Sequence, residues 1–124
     1  MIEIRSYRDL RVWRDAMTLA EDCYRFSKEL PRDELFGLTS QVRRAAVSIP
    51  ANIAEGYGRD SAGSYVNFPK TAQGSLKELE THLILTQRLK LGSFDAATQL
   101  LANADAVGRM LRALMRSIEN SSER

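Results

Sequence analysis

The chain has 124 residues, 44% hydrophobic and 27% charged, with a formal net charge of +2 at pH 7. That length gives one domain able to bury a single core without disulfides or metal, and the composition excludes a disordered or low-complexity chain. Cys23 is the only cysteine, so no intramolecular disulfide forms, and no apolar run approaches the ~18 residues that span a bilayer. With no apolar leader segment after residues 1–5, the sequence predicts a soluble, cytoplasmic protein.

The first helix is predicted over residues 9–29. Leu10, Trp13, Met17, Ala20 and Tyr24 form one stripe at helical spacing, and Val12, Ala16, Leu19, Cys23 and Phe26 form a second beside it. Two adjacent stripes make a face wider than one partner helix covers. Pro31 ends this helix, and Arg32 and Asp33 make the turn. The second helix is predicted over residues 34–57, with Asp33 as its N-cap. Leu35, Leu38, Val42, Ala45, Ala46, Ile49 and Ile53 share its inward face. Pro50 lies within this pattern, lacks an N–H and crowds the carbonyl four residues back, so the helix is expected to kink there. Gly56 and Gly58 end it.

The third helix is predicted from Ser61 or Ser64 to Leu91, with Tyr65, Phe68, Ala72, Leu76, Leu79 and Leu83 on its buried side. Pro69 interrupts that pattern, which implies either an irregular start before Lys70 or a second kink. Gly74 at mid-helix costs about 1 kcal/mol relative to alanine and predicts a close approach of two backbones. Leu91 and Gly92 close the helix in a left-handed turn. Ser93 caps the fourth helix, whose inward positions are Ala97, Leu100, Leu101, Ala104, Val107, Leu111, Leu114, Met115 and Ile118. Residues 120–124 form a polar tail expected to fray. No segment alternates like a strand. The pattern predicts an all-α, up-and-down four-helix bundle with its second helix kinked at Pro50.

Catalytic chemistry is not legible. His82 is the sole histidine and stands four residues after Glu78 and two after Glu80, neither being the Glu-x-x-His spacing of di-iron bundles. Ser48, Ser75 and Thr81 have no accompanying nucleophile motif. Gly56-x-Gly58 follows a helix rather than a strand and has no Lys-Ser/Thr after it, so it is not a phosphate loop. The reading is a non-enzyme with no metal or cofactor.

Charge grouping is the remaining signal. Of 18 basic residues, 14 are arginine, a bias that suits phosphate or carboxylate recognition and that high genomic GC content also produces. Arg5, Arg8, Arg11 and Arg14 recur every third position. Arg43 and Arg44 adjoin on the second helix, Arg59 follows it, and Arg109, Arg112 and Arg116 share one face of the fourth. Tyr7 and Trp13 lie within the first cluster, and Tyr57 and Tyr65 flank Arg59. Arginine beside aromatic rings suits unpaired nucleic acid, with rings stacking on bases and guanidinium groups neutralising phosphates. The competing reading is a set of solvated faces paired with Asp9, Asp15, Asp60, Asp105 and Glu119. The double stripe, with Tyr24, Phe26 and Phe36 near the Pro31 turn, further predicts self-association.

Three blocks carry a family resemblance: Tyr7-x-Asp9-Leu10-x-Val12-Trp13-x-x-Ala16, then the run Gly37-Leu38-x-x-Gln41-x-Arg43-Arg44-Ala45-Ala46-Val47-Ser48-Ile49-Pro50-x-Asn52-Ile53-Ala54-Glu55-Gly56, then Gly74-Ser75-Leu76-x-Glu78-Leu79-Glu80-Thr81. Over about residues 6–115 the chain resembles the bacterial 23S ribosomal RNA intervening-sequence protein family, a group similar to the accessory variability determinant protein of diversity-generating retroelements. The resemblance implies an up-and-down bundle that assembles as a homopentameric ring. In the retroelement relatives the basic ring surface binds nucleic acid and a reverse transcriptase. Pro69 departs from the family pattern. The expected function is a non-enzymatic homo-oligomer that binds structured RNA or a nucleic-acid-handling partner. The alternative is an adaptor that docks another protein without touching nucleic acid. A membrane partner is not expected.

Overall fold

The computed structural model describes residues 3–122. Among them the chain forms four α-helices and no strand: α1 (Arg11–Ser27), α2 (Leu38–Tyr57), α3 (Ala62–Arg88) and α4 (Phe94–Ser122). Short 3-10 turns cover Tyr7–Asp9 and Arg32–Glu34. α1 packs on α2 and α4, and α3 packs on the same two helices, so the four close into an up-and-down bundle. The α1–α2 and α3–α4 connections lie at one end, here the upper end, and the α2–α3 connection lies at the lower end. Residues 1–2 of the expected leaderless start and residues 123–124 of the expected tail lie outside the described residues, and α4 is helical through Ser122.

Local chemistry sets each boundary. Ser6 caps the first 3-10 turn by accepting from the Arg8 amide at 3.1 Å, and Asp9 returns a bond from the Ser6 amide at 3.2 Å. This capping box stops at an extended Leu10, so α1 begins at Arg11 rather than residue 9. α2 starts four residues later than the sequence implied. Its N-cap is Gly37, and the Glu34 carboxylate, not Asp33, takes the first free amide, that of Leu38, at 3.0 Å. Leu35 and Phe36 therefore precede the helix and are exposed, Phe36 by 92%. Ser61 caps α3 by accepting from Ser64 N–H at 3.1 Å, and α3 is helical from Ala62 straight through Pro69. The irregular start at Pro69 does not occur. Ser93 Oγ accepts from Ala96 N–H at 3.1 Å at the start of α4.

The core combines Val12, Ala16, Leu19, Cys23 and Phe26 of α1 with Val42, Ala46, Ile49 and Ile53 of α2, Ala72, Leu76, Leu79 and Leu83 of α3, and Ala97, Leu100, Ala104, Val107 and Leu111 of α4. Each buried leucine or isoleucine contributes about 1.5–3 kcal/mol. On α3 the buried stripe runs Val66, Pro69, Ala72, Leu76, while Tyr65 and Phe68, expected inside, are half-buried at its edge. The close helix approach falls at Gly56, where an added Cβ would lie 2.6 Å from Phe68 Cβ and 3.2 Å from the Tyr65 carbonyl oxygen. Gly74, expected to mark such an approach, faces open space.

α2 continues without a break through Pro50, which leaves the Ala46 carbonyl without its usual helical donor. Asn52 does not supply that donor. Its amide side chain bonds the Ser48 carbonyl at 2.8 Å and the Ser48 hydroxyl at 3.0 Å, and Ser48 in turn meets Ser75 of α3 at 2.8 Å. The three side chains form a polar clasp across the α2–α3 seam.

Candidate nucleic-acid interface

The ten arginines singled out by charge grouping divide between the two ends of the bundle. Arg5, Arg8, Arg11 and Arg14 precede or open α1, Arg59 follows α2, and Arg109, Arg112 and Arg116 occupy the second half of α4, all toward the lower end. Arg43 and Arg44 lie near the start of α2, toward the upper end. The topology thus gathers eight of the ten at one end and leaves two apart.

Ion pairing separates them further. Arg5 pairs with Glu3 at 3.0 Å, Arg11 with Asp15 at 3.5 Å, Arg59 with Glu55 at 3.4 Å and Arg109 with Asp105 at 3.3 Å. Arg59 also stacks 4.5 Å over the Phe68 ring, so it is committed to its own fold. Arg8, Arg14, Arg43, Arg44, Arg112 and Arg116 form no ion pair with a described carboxylate. Asp9, read as a charge partner, is spent on the Arg5 and Ser6 amides. Exposed pairs of this kind hold less than about 1 kcal/mol, so a phosphate competes readily for those arginines as well.

On α4 the three arginines stand on the exposed face opposite Ala104, Val107 and Leu111. At the start of α1, Arg8 lies 5.7 Å from the Tyr7 ring, and Tyr7 meets Trp13 edge to face at 5.2 Å. Tyr57 and Tyr65 meet edge to face at 6.2 Å, and burial together with Tyr57 raises the Tyr65 hydroxyl above its usual pKa. These edge-to-face pairs hold the rings to one another rather than presenting a row of open faces.

A second surface was only partly visible in the sequence. Of the two α1 stripes, the second is buried whereas Met17 and Tyr24 of the first are exposed. They line an apolar groove of about 440 Å³ with Ala20, Val47 and Pro50. A neighbouring recess of about 250 Å³ shares Met17, Val47 and Pro50 and extends to Tyr7 and Trp13. The groove runs along the α1–α2 seam. Val47 and Pro50 escaped the sequence reading because Val47 lies off the inward stripe of α2 and Pro50 was read as a kink.

Titratable chemistry is sparse. Cys23 is fully buried, and desolvation, aided by Asp22, pushes its thiol from 9.0 up to about 12. A thiol in that state is unreactive at neutral pH. His82 Nε2 lies 3.3 Å from Glu78 Oε1 along α3. No group of three or more His, Cys, Asp or Glu among the described residues is placed to hold a metal ion. No helix among them is long and apolar enough to cross a membrane.

The fold is shared with a solved structure of a protein of unknown function from the S23 ribosomal protein family of Bacteroides thetaiotaomicron VPI-5482. The two chains are 21% identical with a TM-score of 0.78, over 84% of this chain and 97% of that one. No curated protein matches the chain. Residues 8–113 match the family model of the 23S rRNA-intervening sequence protein, an interval holding α1, α2, α3 and most of α4 together with the motif blocks at residues 37–56 and 74–81. The chain belongs to the 23S rRNA-intervening sequence protein family.

Proposed function

We propose that this protein is a non-enzymatic, homo-oligomeric helical bundle, pentameric by resemblance, that binds structured RNA through arginine-rich surfaces in the cytoplasm. The observation that carries the reading is the set of six arginines that form no ion pair with a described carboxylate, two of them on the exposed face of α4. A basic side chain left unpaired on a rigid helix is free to displace counterions from a phosphate backbone. A closed ring repeats each cluster around its axis and turns modest patches into a continuous positive surface. The groove along α1 and α2 supports self-association, because contiguous exposed apolar surface marks protein contacts. The family name refers to an intervening sequence of 23S ribosomal RNA, which makes RNA the first polyanion to test.

Fluorescence anisotropy of labelled structured RNA, titrated at several salt concentrations, tests the binding. The expected result is submicromolar affinity that falls with salt by about 0.7–0.9 log units per neutralised phosphate for each log unit of salt. Loss of that affinity in R109E/R112E/R116E places the contact on α4. Absence of binding at low salt overturns it. The apolar groove then favours the second reading, an adaptor whose ring docks another protein. Sedimentation of M17E/V47E against the parent protein tests the assembly, and an unchanged oligomeric mass in the variant counts against self-association through this groove.

A further inference from the structure

The connection between α1 and α2 encloses an open cleft of about 300 Å³, lined among others by Lys28, Arg32, Thr39 and Arg43. Arg43 is fixed there by two contacts. Its Nε donates to Ser27 Oγ at 2.8 Å, and its guanidinium lies 5.1 Å from the Tyr24 ring centre. Ser27 is itself 2% exposed and donates to the Tyr24 carbonyl at 2.7 Å, so the support beneath Arg43 is rigid. Both terminal amino groups of Arg43 are left without an acceptor among the described residues. Thr39 is 4% exposed, and its hydroxyl has no hydrogen-bond partner among the described residues. The hydroxyl is not fully enclosed, so it stands open to the cleft as a donor that a ligand can use.

Lys28 and Arg32 add two further cations with no ion pair to a described carboxylate. The acids of this segment do not neutralise them. Glu34 spends its carboxylate on the Leu38 amide, and neither it nor Asp33 lines the cleft. Because Glu34 already caps α2, the affinity for an anion comes from side chains and not from the helix terminus.

The geometry points to a phosphate-binding site in this cleft, with the anion held between the Arg43 fork and the Thr39 hydroxyl and balanced by Lys28 and Arg32. A carboxylate uses the fork alone, whereas a phosphate offers the extra acceptors that Thr39 and the two outer cations require. The cleft is open and measures about 300 Å³, which leaves room for a substituent on the phosphate. Phe36 follows Leu35 of the cleft wall and is 92% exposed; it does not line the cleft itself, but its open ring is the stacking partner to test for a nucleotide base. The site stands apart from the α4 arginines and does not depend on RNA binding there, although Arg43 belongs to both the cleft and the set of unpaired arginines.

Titration of the full chain with inorganic phosphate, followed through the arginine Nε–H resonances and with chloride as control, tests the site. The expected result is a saturable shift of Arg43 Nε–H. T39V, which exchanges only the hydroxyl for a methyl, weakens binding several-fold, and R43Q weakens it about tenfold or more. R109E/R112E/R116E leaves it unchanged. Should R43Q lose its fold, K28E/R32E on the exposed rim is expected to weaken phosphate by a similar factor. Tighter binding of 5′-phosphorylated than 5′-hydroxyl oligouridine, reduced by F36A, identifies a nucleic-acid end as the source. Equal binding of the two oligonucleotides, with phosphate binding intact, identifies free phosphorylated compounds. A phosphate titration without a saturable shift, or one unchanged in K28E/R32E, overturns the proposal.

Discussion

Gly56 of α2 lies so close to Phe68 of α3 that a side chain on the glycine would bring two Cβ atoms to 2.6 Å. The contact joins the last turn of α2 to the second turn of α3, immediately above the lower connection. It explains why the last turn of α2 carries glycine at position 56, since the neighbouring wall includes the backbone carbonyl of Tyr65 as well as a side chain. Gly56→Ala is expected to lower unfolding free energy by about 1–3 kcal/mol, the usual cost of overpacking. Gly74→Ala, in the exposed interior of α3 with open space around it, is expected to raise stability by about 0.5–1 kcal/mol. Urea denaturation of the two variants distinguishes them by sign.

Lys90 adopts a left-handed backbone with φ 59° at the end of α3. The Leu91 amide bonds Thr86 O at 2.9 Å and the Lys90 amide bonds Gln87 O at 3.1 Å, which closes the helix with a residue that ordinarily is glycine. Lys90→Gly is expected to stabilise the protein by about 1 kcal/mol, since an L-residue is strained in that region. Thermal melting of this variant is expected to give a higher Tm than the parent.

Cys23 supplies a pH dependence whose sign follows from burial. Its pKa is about 12 in the folded chain against 9.0 for the unperturbed thiol, so the unfolded state loses its proton first. The stabilising contribution is complete below pH 9 and fades as pH rises toward 12. Between those limits stability is expected to fall by up to about 1.4 kcal/mol per pH unit. The slope is absent from the Cys23 share in Cys23→Ala, so the difference between the two proteins, measured by denaturation at pH 8 to 11, isolates the thiol. At neutral pH the native thiol is expected to resist iodoacetamide until the chain unfolds.

Pro50 lines both recesses of the α1–α2 groove while lying inside a continuous helix. Pro50→Ala returns a helical donor to the Ala46 carbonyl and removes a ring from the groove. The expected outcome is a folded protein with an altered assembly. Circular dichroism reports the fold, and small-angle scattering with sedimentation reports the assembly. An unchanged mass and profile counts against a role for this proline in association.

How much of this was legible depends on the physical range of each signal. Helical periodicity identified all four helices, because Leu76, Leu79 and Leu83, or Leu100, Ala104 and Leu111, repeat a burial pattern that survives any detail of packing. Boundaries set by side-chain competition were less legible. Glu34 outbid Asp33 for the Leu38 amide, which shortened α2 and put Leu35 outside. Pro69 sits on the buried stripe between Val66 and Ala72, where tertiary contacts hold the helix despite a missing donor. Gly74 was misread although Ala72 and Leu76 already placed it on the opposite face. The arginine clusters were visible as spacing, but which arginines are paired was not. The Lys28, Arg32, Thr39 and Arg43 cleft has no contiguous motif, since a turn must first bring the ends of two helices together.

The hydrogen bond from the Ser93 amide to Glu29 Oε1, at 2.9 Å, spans 64 positions of chain. It ties the two upper connections and so closes the seam between the first and last helices, beside a recess of about 230 Å³ bordered by Asp15, Thr18, Asn103 and Met110. Helices adjacent in sequence meet across short connections, but α1 and α4 meet only after the whole chain has turned back on itself. This seam is the most sparsely packed of the four, whereas the α2–α3 hairpin is stapled by Ser48, Asn52 and Ser75, so native-state hydrogen exchange is expected to show the α1–α4 side opening at lower cost than the hairpin.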